Sequence, residues 1–236
     1  MNSGEHTSKR FDAELEAVRA QVLQMGGLVE SQIQLAVESL ISGDVALMNQ
    51  VIDDDHRVNL MEVEIDEQCN NILVRRQPAA GDMRMVTTVI KTITDLERIG
   101  DEAEKIARMA KLLSQKERLH LPRYNEVKHA AEIALDMLRK SLDAFARLDI
   151  VTAAQVVRQD ELVDDEFRSI MRYLITFMME DPRTISTSLE ILFVAKAIER
   201  IGDHAKNMSE YVVYLVKGKD VRHISVEQLE AEASKD

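Results

Sequence analysis

The chain has 236 residues and a formal net charge of −12, with 45% apolar residues, 4% aromatic residues, eight Gly and three Pro. Without a basic block it gains no counterion release from a phosphate backbone and is repelled by anionic headgroups, so nucleic acid and direct membrane attachment are both excluded as expectations. The scarcity of Gly, Pro and aromatic residues points to an all-α fold; the absence of a long uncharged apolar run, the polar N-terminal stretch and the single cysteine, Cys69, point to the cytoplasm.

Apolar residues recur at spacings of three and four along three successive stretches. Leu15, Val18, Val22, Met25, Val29, Ala36 and Leu40 form a first stripe, and Leu47, Val51, Val58, Ile65, Cys69 and Ile72 a second. Val86, Val89, Ile93, Leu96, Gly100, Ala103 and Ala107 form the third. Each stripe predicts a long amphipathic helix. Breaks are expected at Ser42-Gly43-Asp44 and at Pro78 to Gly81, then at Lys116 to Pro122, Leu148-Asp149 and Asp181 to Thr184. Asp44 and Asp149 are suited to cap the helices that follow them.

The second half repeats the first. Leu96-Glu97-Arg98-Ile99-Gly100-Asp101 recurs 102 residues later as Ile198-Glu199-Arg200-Ile201-Gly202-Asp203, and the upstream pattern of Asp44, Asp55, Val58 and Ile65 recurs 105 residues later as Asp149, Asp160, Val163 and Ile170. The expected architecture is therefore two tandem antiparallel three-helix bundles related by internal duplication, over residues 8–118 and 122–217. Residues 218–236 read as a charged, poorly tied C-terminal tail.

Acidic residues run beside the stripes. Glu97, Asp101 and Glu104 are spaced i, i+4, i+7 on the third helix, and Asp55, Asn59 and Glu62 share that spacing on the second. At about 100° per residue both lines fall on the same rotational flank of their apolar stripe, so antiparallel packing brings them side by side. Reflection about the Pro78 loop sets the two trios within a turn of each other in height. The second half offers Asp160 and Asp164 on one helix and Glu199, Asp203 and Asn207 on the other. Oxygen ligands without Cys or His suit hard or intermediate cations such as Mg²⁺, Mn²⁺, Ca²⁺ or iron. The alternative is a solvated acidic flank neutralised by Arg98, Arg200 and Lys105.

Several other features read as structural. Gly100 and Gly202 are expected to allow close helix approach, Cys69 to be core, and His204 to lie at the surface rather than serve as a ligand. Glu117-x-x-His120 and Glu126-x-x-His129 resemble half of a ferritin-like di-iron motif, but they flank a helix break. No phosphate-cradling loop or nucleophile arrangement stands out, so no enzyme is expected.

Glu97-Arg98-Ile99-Gly100-Asp101, its copy ending in His204, Asp53-Asp54-Asp55, Arg75-Arg76-Gln77-Pro78 and the run from Val216 to His223 resemble the PhoU family of phosphate-specific transport system accessory proteins. The resemblance spans nearly the whole chain. It implies a pair of three-helix bundles, usually homodimeric, with metal at the duplicated Glu/Asp-x-x-x-Asp motifs. It further implies a negative regulator of phosphate-starvation signalling and phosphate uptake, linking the ATPase subunit of the Pst transporter to the PhoR sensor kinase. Departures between the halves imply unequal sites: Asn59 aligns with Asp164, Glu62 with Phe167, and Lys105 with Asn207. The first site, with five carboxylates, is the stronger expectation.

Overall fold

The computed structural model describes residues 9–76, 78–115 and 124–233. Six long helices, α1 (Lys9–Ser42), α2 (Val45–Arg76), α3 (Ala80–Ser114), α4 (Tyr124–Arg147), α5 (Ile150–Glu180) and α6 (Ile185–Lys217), are followed by a short α7 (Val226–Ala233). In each half the three long helices pack against one another, as two successive antiparallel bundles. The predicted stripes are the buried faces: Val22, Met25, Val29, Val51, Val58, Val89 and Leu96 are fully enclosed, as are Val156, Val163 and Ile198, the second-half counterparts of Val51, Val58 and Leu96. Cys69 lies in this core, where burial pushes its thiol up to about 12. Pro122, Gln77 and the expected bundle limits at residues 8, 118 and 122 lie outside the described residues.

The turn chemistry repeats with the helices. Asp44 accepts from the Ala46 and Leu47 amides at 2.8 and 3.4 Å, and Asp149 from the Val151 and Thr152 amides at 2.9 and 3.1 Å. Each cap satisfies donors that the first helical turn leaves without partners. The residue before each cap has positive φ, 73° at Gly43 and 56° at Leu148. Glycine adopts that conformation without cost, whereas leucine is strained there. Helix α6 ends on Gly218 at φ 69°, whose amide bonds to the Tyr214 carbonyl at 2.8 Å.

The bundles join mainly through α3 and α6, which cross antiparallel: Lys91 lies over Tyr211 and Tyr214, Asp95 meets His204, and Glu102 meets Arg200. A second seam, α1 against α4, is so close at Gly26 that a methyl there would stand 2.6 Å from Leu142 Cδ2. His204 corrects the expectation of a surface residue. It is only 7% exposed, and its Nδ1 is 2.7 Å from Asp95 Oδ1. Its partner is 109 residues distant, so nothing local in the sequence announces the burial.

The C-terminal segment also differs from its expected loose state. Val221, Leu229 and Ala233 are buried, α7 packs on α5, and Arg158 grips Glu230 through Nε and Nη2 of its guanidinium. Helix α7 opens on a reciprocal cap, with Ser225 Oγ accepting from the Gln228 amide at 3.3 Å and Gln228 Oε1 accepting from the Ser225 amide at 3.1 Å.

Candidate metal centre

Both acidic lines flank the α2–α3 groove of the first bundle. Asp55 is buried, Asn59, Glu62, Glu97 and Glu104 are half-buried, and Asp101 stands at the solvent rim. The carboxylates sense one another across the helix pair. Asp55 is held above the usual carboxylate range by burial, then by the charges of Asp101 and Glu104. Glu97 is raised by burial, then by Asp101 and Glu62; Asp101 is raised by desolvation, then by Glu104 and Glu102. Like charges thus meet here in a partly desolvated strip.

The cations expected to quench this strip are engaged elsewhere. Arg200 Nη1 lies 3.0 Å from Glu102 Oε1, Lys105 Nζ 3.2 Å from Glu102 Oε2, and Arg98 Nη1 4.0 Å from Asp95 Oδ1, all on the α3–α6 side. Arg200 still lowers the Asp101 carboxyl somewhat by charge alone. Arg108 meets Glu104 at 2.5 Å, at the mouth of the groove.

The floor of the groove is built around Gly100. A methyl placed on it would stand 3.3 Å from each of Asp55 Oδ1, Gln32 Oε1 and Val58 Cγ1. Asn59 Nδ2 donates to Asp55 Oδ2 at 3.1 Å, but Asp55 Oδ1, Asn59 Oδ1 and both amide atoms of Gln32 are buried without a hydrogen-bond partner among the described residues. Buried polar atoms ordinarily find a partner, so this cluster of unmet oxygens is chemically unfinished. Among the described residues no three His, Cys, Asp or Glu side chains are already gathered to hold an ion. The carboxylates spread along the strip, as mutually repelling groups do. Hard oxygen donors, unmet buried acceptors and the cradle over Gly100 together suit a hard cation.

The second bundle repeats the acids and adds its own counter-charge. Lys206 Nζ lies 2.7 Å from Asp160 Oδ2, and Lys196 Nζ 2.5 Å from Glu199 Oε2. Lys206 stands where the first half has Glu104, and Lys196 where it has Thr94. Burial nonetheless outweighs the ammonium and keeps Asp160 above its ordinary value; Asp203 is raised by burial, then by Glu199 and Asp160. Asp164 and Asn207 are half-buried on α5 and α6. The three atoms nearest to a methyl on Gly202 all belong to the Val163 side chain, the closest at 3.5 Å. Both glycines permit close helix approach, with two oxygens among the three nearest atoms at Gly100 and three valine carbons at Gly202.

Two determinants escaped sequence reading. Gln32 on α1 is 2% exposed, and its signal is a polar residue between Val29 and Ala36 on an otherwise apolar stripe. Lys196 and Lys206 each lie three residues from an acid of the repeated motif, and aligning the halves exposes the charge reversal at Lys206. Of the di-iron fragments, His129 is exposed rather than inward-facing, while Glu117 and His120 lie outside the described residues.

Comparison with known proteins matches this plan. The PhoU domain model matches twice, over residues 22–110 and 127–212. A Pseudomonas aeruginosa protein named phosphate-specific transport system accessory protein PhoU homolog is 49% identical over 228 residues, covering 96% of this chain and 93% of its own. The Escherichia coli (strain K12) phosphate-specific transport system accessory protein PhoU is 45% identical over 230 residues, covering 98% and 95%. The crystal structure of PhoU from Pseudomonas aeruginosa superposes with a TM-score of 0.85 at 49% identity, over 89% of this chain and all of that one. The phosphate transport system regulatory protein PhoU from Streptococcus pneumoniae superposes at 0.83 with 27% identity, over 89% and 99%. With both halves matched and near full-length relatives this similar, the chain belongs to the PhoU family.

Proposed function

We propose that this chain is a cytoplasmic, homodimeric regulator that restrains phosphate uptake and phosphate-starvation signalling by joining the ATPase subunit of a Pst-type transporter to a PhoR-type sensor kinase. The observation that carries this reading is the pair of PhoU matches, one per half, with relatives named phosphate-specific transport system accessory proteins. No helix among the described residues is long and apolar enough to cross a membrane, so contact with a transporter falls to protein surfaces.

Within this role the first acidic groove is a cation site. Asp55, Glu62, Glu97, Asp101 and Glu104 supply carboxylates and Asn59 an amide oxygen, a set suited to Mg²⁺, Mn²⁺ or Fe²⁺. A bound cation would offset the burial and the mutual repulsion that lift Asp55, Glu97 and Asp101, and would tie α2 to α3. In the second half, Asp160, Asp164, Glu199, Asp203 and Asn207 would gain a cation only by displacing Lys206 and Lys196. That cluster is the weaker site, and a metal-free structural role suits it better.

Deleting the gene tests the regulatory reading. Phosphate-starvation genes should become active in phosphate-rich medium and return to repression when the wild-type gene is restored. Unchanged repression in the deletion strain would remove the regulatory assignment. Restoration by a chain carrying Asp55→Asn and Asp101→Asn at wild-type levels would separate regulation from the groove.

A further inference from the structure

The amide of Gln32 stands outside every acidic motif of the sequence. Helix α1 brings this polar side chain to the floor of the first groove from within its apolar stripe. Gln32 is 2% exposed, and neither Oε1 nor Nε2 has a hydrogen-bond partner among the described residues. Oε1 and Asp55 Oδ1 each lie 3.3 Å from the point where a Gly100 methyl would sit, so oxygens from α1 and α2 face one spot over α3.

The second half provides an internal control. At the 105-residue offset that aligns Asp44 with Asp149, Gln32 corresponds to Met137, which is 0% exposed. The three atoms nearest to a methyl on its Gly202 are valine carbons, and Asp160 and Glu199 are each paired with a lysine. The polar residue on the first helix therefore occurs in the half where Arg108 pairs with Glu104 and leaves Asp55 Oδ1 without a partner, and an apolar one occurs in the half where Lys206 pairs directly with Asp160.

We propose that Gln32 is a third-helix ligand of the first cation site. Its Oε1 supplies a neutral oxygen that fixes the ion at the Gly100 cradle and ties α1 to α2 and α3. This rests on the reading of the first groove as a cation site. A carboxamide oxygen is a hard donor that adds no charge to an already acidic set, which suits a divalent ion. Without the ion, a buried amide with both ends unmet is a destabilising feature. Gln32 should thus favour the ion-bound state at the expense of the metal-free one.

The experiment is Mn²⁺ titration of the full chain after chelator treatment, read by the electron paramagnetic resonance of unbound Mn²⁺, together with thermal melts with and without the ion. Gln32→Met, which copies the second half, should weaken the tight Mn²⁺ site about 10- to 100-fold. It should also melt at or above the wild-type temperature without metal. A residue that merely packs would lower metal-free stability on substitution, so the opposite signs of the two readouts distinguish a ligand from a core residue. Gln32→Glu retains an oxygen donor and should bind Mn²⁺ at least as tightly as wild type at pH 7.5 while lowering metal-free stability.

Wild-type affinity in Gln32→Met, or loss of Mn²⁺ binding in Gln32→Glu, would overturn the assignment. If Asp55→Asn abolishes binding while Gln32→Met leaves it intact, the groove remains a cation site without Gln32. If wild type shows no site for Mn²⁺, Mg²⁺ or Fe²⁺, the reading of the groove falls, and the role of Gln32 with it.

Discussion

Replacing each of the two repeated glycines by alanine separates helix propensity from the chemistry of the groove. Glycine inside a helix is about 0.5–1 kcal/mol less favourable than alanine. At Gly202 a methyl meets Val163 at ordinary contact distance, 3.5 Å, so Gly202→Ala should recover that difference. For a chain of this size it corresponds to a rise in Tm of about 2–4 °C per kcal/mol. At Gly100 the same gain is opposed by three contacts at 3.3 Å, with Asp55 Oδ1, Gln32 Oε1 and Val58 Cγ1. Val58 is fully buried and cannot withdraw without repacking, and overpacking costs about 1–3 kcal/mol. Gly100→Ala should therefore lose about 1 kcal/mol net, and its methyl would occupy the cradle that the two oxygens face. Melting both variants with and without Mn²⁺ reads both effects. Gly202→Ala should melt higher than wild type and keep the ion-induced rise, whereas Gly100→Ala should melt lower and lose it. A Gly100→Ala chain as stable as Gly202→Ala, with an undiminished response to Mn²⁺, would refute the polar-cradle account.

Three further outcomes follow from the same geometry. Leu148→Gly should stabilise the chain by up to about 1 kcal/mol in urea unfolding, because a left-handed leucine is strained where the equivalent turn uses Gly43; no gain would mean that lost Leu148 packing offsets the strain. Asp149→Ala should cost about 1 kcal/mol at pH 7, measured by thermal melts across pH. Hydrogen bonds from Thr152 and the Val151 amide lower the Asp149 carboxyl in the folded state. Its contribution is thus fully present above the unfolded value of about 3.9 and fades as pH falls through the lower folded value, so the two proteins should converge only in acid. Asp95→Ala should cost about 1–3 kcal/mol by chemical unfolding, since it strips the buried His204 of its partner and Tyr211 of an acceptor; a loss below about 0.5 kcal/mol would show that the α3–α6 seam does not depend on this pair.

The fold was legible because its signals are local or periodic. Helical stripes, the duplicated Glu-Arg-Ile-Gly-Asp motif and the Asp44 and Asp149 caps are all readable within a window of a few turns. The side-by-side placement of the acidic lines followed from helix rotation and one hairpin. What escaped were features decided by partners remote in sequence or by a single exception within a pattern. His204 is buried because Asp95 lies across the bundle seam, and Arg98, Arg200 and Lys105 are drawn to that seam rather than to the groove. The tail is tied by Val221, Leu229 and Ala233, too sparse to outweigh its charges by composition, although Ser225 and Gln228 already formed a readable capping pair. Gln32 was masked by the apolar stripe around it. Lys206 was hidden until its position was set against Glu104 in the other half.

The proposed divalent cation sits in the first groove in preference to the second, on oxygens from three helices. Crystals of the full chain soaked in Mn²⁺ and measured at the manganese absorption edge test it most directly. An anomalous peak should lie over Gly100, within ligand distance of Asp55, Asp101 and Gln32, with a weaker or absent peak beside Lys206. Density confined to exposed surface carboxylates, or stronger beside Asp160 than beside Asp55, would contradict the claim.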